Sequence, residues 1–319
     1  MAKKQKPEIQ EKFKTMIGGQ ALIEGILMRG PKKQAIVVRA PEGIVTKVEE
    51  LKLIKDRHPI LGWPLIRGIV NFGSSMVNGV KALTYSANFY LDDDEAQEPS
   101  KFEKWFADKF GSEALEKAVI YFSVALGIAF SIGLFVIVPN LLAGLLRTLV
   151  PSRLLRNLIE GALRVAIFLG YLIGISQMKD MKRVFSYHGA EHKTIRCYEA
   201  KLDLTVENVR KQTRMHPRCG TSFMFLVIMI TILFFAAIPA ENVFIRLLLR
   251  LALLPVVVSI SYEITRLVGR YDNWFTRILT APGMWLQNFT TREPDDSMIE
   301  VGIEAVKLVL PETEGEDAW

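Results

Sequence analysis

The 319-residue sequence carries 40 Lys and Arg against 34 Asp and Glu, a formal charge of +6, while half its residues are hydrophobic and its mean hydropathy is +0.22. The apolar residues concentrate between Ala118 and Tyr262 instead of spreading as amphipathic stripes, which argues against a purely soluble enzyme or a disordered chain. Two cysteines, Cys197 and Cys219, cannot staple a chain this long, so reduced thiols or metal ligands are the readings that remain.

The first fourteen residues hold five lysines and lead into Thr15-Met16-Ile17-Gly18-Gly19, so no cleavable leader is expected and insertion should depend on internal segments. Residues 34–39 and 43–48 flank Ala40-Pro41-Glu42-Gly43 and predict a hairpin. With 20–28 it would form a small cytoplasmic sheet within an N-terminal region spanning 1–61. Residues 62–91 are apolar but rich in Gly, Ser and Asn and interrupted by Arg67 and Lys81, which reads as an interfacial or re-entrant helix, a fifth span being the alternative. A solvated linker with Asp92-Asp93-Asp94-Glu95 and an amphipathic helix are expected over 92–117.

The membrane domain is expected over 118–268. Residues 118–146 and 221–240 carry no charge and are long enough to cross a hydrocarbon core of about 30 Å. Two further spans are 158–178, with Glu160 and Arg164 one helical turn apart, and 243–268, with Arg246 and Arg250 near its start and Glu263 near its end. Arginines near helix ends can snorkel, so the expectation is about four transmembrane helices in a mainly α membrane protein. Residues 179–220 hold ten Lys and Arg against five Asp and Glu and are read as a basic cytoplasmic loop, which places both termini in the cytoplasm. Arg147, Arg153 and Arg156 in the opposite connection run against this orientation. A C-terminal cytoplasmic segment, 269–319, carries helical spacing over 297–309.

Chemistry concentrates in the basic loop, which holds three of the four histidines and both cysteines; His58 lies outside it and reads as a surface residue. His188-Gly189-Ala190-Glu191-His192 matches H-x-x-E-H, the inverted zinc-hydrolase motif. On a helix His188 and His192 share one face and can hold a metal ion, with Glu191 beside them as the catalytic group that takes a proton from water. His216 and Cys219 offer a second pair at i,i+3, and Glu263 follows His192 by 71 residues, a separation suited to a third, carboxylate ligand. Nitrogen and sulfur donors favour zinc among divalent metals. Cys197 and Glu199 are reserve ligands or supports of the ligands. Gly189 weakens the helix expectation, and His188, His192, His216 and Cys219 could instead close a purely structural shell. The net positive loop suits anionic lipid head groups of the bilayer; no module for sequence-specific nucleic-acid recognition accompanies it.

The blocks 18–31 (GGQALIEGILMRGP), 186–199 (SYHGAEHKTIRCYE), 216–223 (HPRCGTSF), 261–267 (SYEITRL) and 281–296 (APGMWLQNFTTREPDD) resemble the YqhQ family of bacterial integral membrane proteins, described as predicted metal-dependent enzymes. The resemblance spans nearly the whole chain and implies a location in the bacterial cytoplasmic membrane and a metal site.

Two functions compete on these residues. One is a zinc-dependent, peptidase-like hydrolase at the cytoplasmic membrane face. The other is a non-catalytic assembly or translocation factor, whose structural zinc braces a basic docking surface for a membrane-protein, ribosome or translocon partner. A transporter ranks third. A membrane-surface metal site also needs a cover against bulk water, so the block at 18–31 is expected over His188 and His192, with Glu24 or Arg29 supporting the site.

Overall fold

The computed structural model describes residues 13–51, 58–90, 111–145, 150, 152–237, 243–313 and 315–318. The basic stretch before residue 13, the acidic linker at 92–95 with most of the helix expected after it, Arg147 and the short link at 240–242 lie outside the described residues.

Four strands form an antiparallel meander in the order β1 (Gly18–Leu22), β2 (Gly25–Arg29), β3 (Lys33–Ala40) and β4 (Gly43–Glu50). The expected hairpin is β3–β4, closed where Ala40 pairs with Gly43, whose φ of 136° suits only glycine. The 20–28 stretch is not one strand: it folds back at Ile23-Glu24, with Glu24 at φ 51°. Both faces of the sheet are covered, which is why β2 and β3 read as nearly continuous apolar runs instead of alternating.

Helix α1 (Ile66–Ala87) lies on one face, where Ala82, Tyr85 and the following Phe89 meet Leu22, Leu27, Ile36 and Val38. The apolar segment that begins at residue 112 runs as α2 (Ser112–Ile132), a π-helical stretch (Gly133–Ile137) and α3 (Val138–Leu145). It returns through α4 (Arg153–Gln177) into α5 (Lys179–Glu199). The short α6 (Val206–Arg210) precedes an apolar pair, α7 (Gly220–Ala237) and α8 (Val243–Arg270). The chain ends with α9 (Trp274–Thr290) and α10 (Asp296–Val309). Helices α5 and α10 cover the second face of the sheet: Tyr187, Ala190, Ile195, Val301 and Val306 pack against Ile26, Met28, Ala35 and Val37. Thr15, before the sheet, bridges to Ala318, after α10.

Three helical segments, Ala118–Leu145, Leu155–Gln177 and Leu247–Arg270, are long and apolar enough to cross a membrane; Gly220–Phe235 is apolar but shorter. Two expectations about the membrane region need correction. The segment 179–220 is mostly helix, with Asp180 in the first turn of α5 and Arg196 in the last complementing its dipole. It stops in a Schellman turn: Lys201 takes φ 52°, the Leu202 N–H donates to the Cys197 carbonyl (3.2 Å) and the Lys201 N–H to that of Tyr198 (2.9 Å). Nor does Arg250 snorkel. It is 1% exposed and forks onto Glu160, with Asn140 at 3.1 Å, while Arg164 joins the same carboxylate at 3.0 Å. The π-helical stretch presents the Phe135 carbonyl to Arg164 at 2.8 Å, and the Phe235 ring lies under both guanidinium groups, 5.1 and 4.9 Å away.

Candidate metal-binding site

The continuity of α5 places His188 and His192 one turn apart with Glu191 between them, as H-x-x-E-H requires. Gly189 keeps the helix and also makes room on it: a Cβ there would sit 2.0 Å from the Arg292 carbonyl oxygen. The chain after α9 therefore crosses α5 in contact, with the Arg292 N–H donating to the Phe185 carbonyl at 2.8 Å. That crossing brings the Thr290 carbonyl to His188 Nδ1 at 2.8 Å. His192 Nδ1 meets the Arg214 carbonyl at 2.6 Å. Because a carbonyl can only accept, each ring keeps a proton on Nδ1 and turns Nε2 to the cluster, the orientation that metal-binding imidazoles need.

Cys219, immediately before α7, completes the group. Its Sγ lies 3.2 Å from His188 Nε2, and the ligand atoms of His188, His192 and Cys219 all fall within 4.8 Å of one another. That spacing suits a tetrahedral ion with bonds of about 2.0–2.3 Å, and the donor set, two imidazoles and a thiolate, fits a borderline-soft divalent metal. Burial opposes a thiolate at Cys219, but the charges of His188 and His192 and their hydrogen bonds outweigh it and hold the thiol well below its ordinary range. Burial likewise opposes charge on His188, yet the facing Cys219 sulfur and the Glu191 carboxylate raise it to about 9.

Glu191 is held from outside its own helix. The Gly19 N–H of β1 donates to Oε1 at 2.9 Å, and the approach is so close that a Cβ on Gly19 would lie 2.9 Å from Glu191 Cγ. This leaves Oε2 3.6 Å from His192 Nε2 and 3.9 Å from His188 Nε2. The 18–31 block thus packs over the cluster, as the need for a cover predicts. A cavity of about 300 Å³ lies between them, lined by Gly19, Arg29, Glu191, His192, Arg218 and Cys219 among others.

The remaining expected site residues are distributed differently. His216 lines the same cavity, its ring 5.5 Å from that of His192, but is outside the three-residue group. Its Nε2 lies 3.5 Å from Glu199, and Gln287 holds its backbone from both sides, accepting from the N–H and donating to the carbonyl, each at 2.7 Å. Burial lowers the His216 pKa to about 4. Glu199 also pairs with Arg218 and accepts from the Thr15 N–H at 3.0 Å. Although burial raises its pKa, His216 and Arg218 overcome that and hold it below the usual carboxylate range. Glu263 is not with the cluster: Arg67 forks onto its carboxylate and the Leu65 N–H donates to it at 3.3 Å. Cys197 faces away, packed with Val209, Ile299 and Ile303. Glu24 binds Arg183 and the Tyr187 hydroxyl, clamping the β1–β2 turn to α5 outside the cavity, whereas Arg29 lines it. The groups that the sequence reading missed are mainly backbone atoms of Gly19, Arg214 and Thr290, which no side-chain pattern reveals; Gln287 had a signal, an amide following the apolar run Met284-Trp285-Leu286, and the structure buries it fully.

Fold and site together define a protein of apolar helices, three of them long and apolar enough to cross a membrane, with a buried His–Cys–carboxylate cluster beneath a small sheet. The chain belongs to the YqhQ family. The model of the family described as "Protein of unknown function (DUF1385)" matches residues 63–312. The chain is 35% identical over 302 residues, 92% of each chain, to the uncharacterized protein YqhQ of Bacillus subtilis (strain 168). No solved structure matches it.

Proposed function

We propose that the chain is a zinc-dependent, peptidase-like hydrolase at the cytoplasmic face of the membrane. The observation that carries this reading is that His216 turns its Nε2 to Glu199, 3.5 Å away, and stays out of the group whose ligand atoms converge, which leaves three ligand side chains with Glu191 Oε2 beside them. Three protein ligands and an open position are the pattern of catalytic zinc, whereas a bracing site closes all four. For the same reason the alternative, a structural zinc in an assembly factor with a basic docking surface, is the weaker reading.

His188, His192 and Cys219 would hold the ion, with the Thr290 and Arg214 carbonyls fixing the two rings. Zinc bound there would polarise a substrate carbonyl and acidify water. Glu191 takes the proton from the attacking water and returns it to the leaving nitrogen, its geometry set by the Gly19 N–H. Strand β1 keeps bulk water from the carboxylate.

The geometry also supports four crossings. Phe235, near the end of α7, reaches the same Glu160–Arg164–Arg250 cluster as the three longer segments, so α7 attains their depth. Helices α5 and α10 cover one face of one sheet, so α7 out and α8 back must end on a common side. The net positive charge of 179–220 assigns that side to the cytoplasm, against anionic lipid head groups.

The test is Glu191→Gln in protein purified with its metal. The variant is expected to retain one zinc per chain and to lose roughly 10²–10⁴-fold in peptide hydrolysis. Unchanged hydrolysis, or loss of the metal along with activity, would remove Glu191 from catalysis.

A further inference from the structure

Two groups on the cavity wall have no bonding partner, and they sit side by side. The side chain of Arg29, at the end of β2, makes no hydrogen bond or ion pair among the described residues, although it is half-buried and lines the same cavity as His188, Glu191 and Cys219. The cavity's other arginine, Arg218, is already paired with Glu199. Directly across the β2–β3 ladder from Arg29 lies Gln34, which also lines the cavity; its Nε2 is bonded to Glu49 and its buried Oε1 has no partner. Ser75 and Asn78, one turn apart on α1, line the cavity as well. A half-buried guanidinium without a counter-charge is costly and favours an anionic ligand, and a turn of the Gln34 amide, whose Oε1 is closed off from solvent, would offer that carbonyl to an N–H a few ångströms from the anion.

A peptide C-terminus carries both on one residue: the α-carboxylate and the amide N–H on the same Cα. The guanidinium fork matches a carboxylate bidentately. The volume, about 300 Å³, is at the small end for ligand pockets and suits the end of a chain. Resting on the hydrolase reading above, we propose that Arg29 and Gln34 receive the C-terminal residue of a peptide, making the substrate class free-carboxylate peptides cleaved at their last bond. One water is consumed and the final C–N bond breaks. The water's oxygen and one of its protons form the new carboxyl group, and the other proton passes through Glu191 to the leaving amine, giving one free amino acid and a peptide shorter by one residue.

The experiment uses full-length, metal-loaded protein in detergent and a library of N-acetyl dipeptides, free or amidated at the C-terminus. Binding is measured by calorimetry in the Glu191→Gln background and cleavage in the wild type. The free-carboxylate library is expected to bind and be cleaved, and the amidated one to bind roughly ten- to a hundredfold more weakly. Arg29→Ala should reduce binding of the free library to the level of the amidated one while zinc content stays at one per chain, and Arg29→Lys should restore part of it. The free-versus-amidated comparison in unaltered Arg29 protein stands even if an Arg29 variant fails to fold. Equal binding of the two libraries, or preference for glycerophosphoethanolamine over both, overturns the assignment and in the latter case points to a lipid head group. Carboxylate-dependent binding without cleavage in the wild type would instead sink the hydrolase reading and leave the Arg29 site standing.

Discussion

Gly189 lies inside a 21-residue helix, where exchange for alanine ordinarily stabilises by about 1 kcal/mol. Here the sign should reverse. A methyl group 2.0 Å from the Arg292 carbonyl oxygen must push the chain after α9 off α5, and with it the carbonyl that orients His188. Gly189→Ala is therefore expected to destabilise by about 2–3 kcal/mol and to lower zinc retention, read as a thermal shift in detergent and as metal per chain. A neutral or stabilised variant would show that the crossing gives way easily. The same position shows what the sequence could and could not disclose. Helical spacing exposed His188, Glu191 and His192, and the neighbouring Cys219 was legible from its place before an apolar run. The glycine looked like a weakness in the helix because its neighbour comes from about a hundred positions away in the chain. Glu263 misled for a related reason: its depth and separation suited a ligand, but Arg67, distant in sequence, holds it.

At the scale of elements, the apolar helices are joined by charge as much as by packing. Glu160 and Arg164 on α4, Arg250 on α8 and Asn140 on α3 share one network, and Glu160 is its single carboxylate among the described residues. The i,i+4 pair was visible in the sequence, whereas the third member was not, because an arginine near the start of a span has water within reach in most proteins. Replacing the carboxylate leaves two buried guanidinium groups uncompensated, so Glu160→Gln is expected to cost about 3–5 kcal/mol. Adding Arg250→Met should recover part of that loss. The comparison is made by denaturation of the single and double variants in the same detergent. If the double variant is no more stable than Glu160→Gln, the coupling between α4 and α8 is not electrostatic.

At the scale of the molecule, the sheet is clasped by α1 on one face and by α5 and α10 on the other, so three segments far apart in sequence form one body. The apolar periodicity of the strands implied a sheet but not its covers, because α5 reads as a polar loop until its buried face is known. If the apolar helices cross in the proposed out-and-back pairs, that whole body lies on one side of the membrane and the start of α4 on the other. Lys47 on β4, Lys201 after α5 and Lys307 on α10 are exposed, as is Ser152 at the cap of α4. Cys219 lines the cavity and its thiol is held below the ordinary range, so single cysteines at these positions are read against the labelling of the unsubstituted protein. A membrane-impermeant maleimide is expected to label positions 47, 201 and 307 only in inverted vesicles and position 152 only in right-side-out spheroplasts. Labelling of position 152 from the same side as the others would mean that α4 does not cross. Labelling of position 307 from the side opposite 47 would break the pairing of α7 with α8, and would contradict the packing of α10 on the sheet.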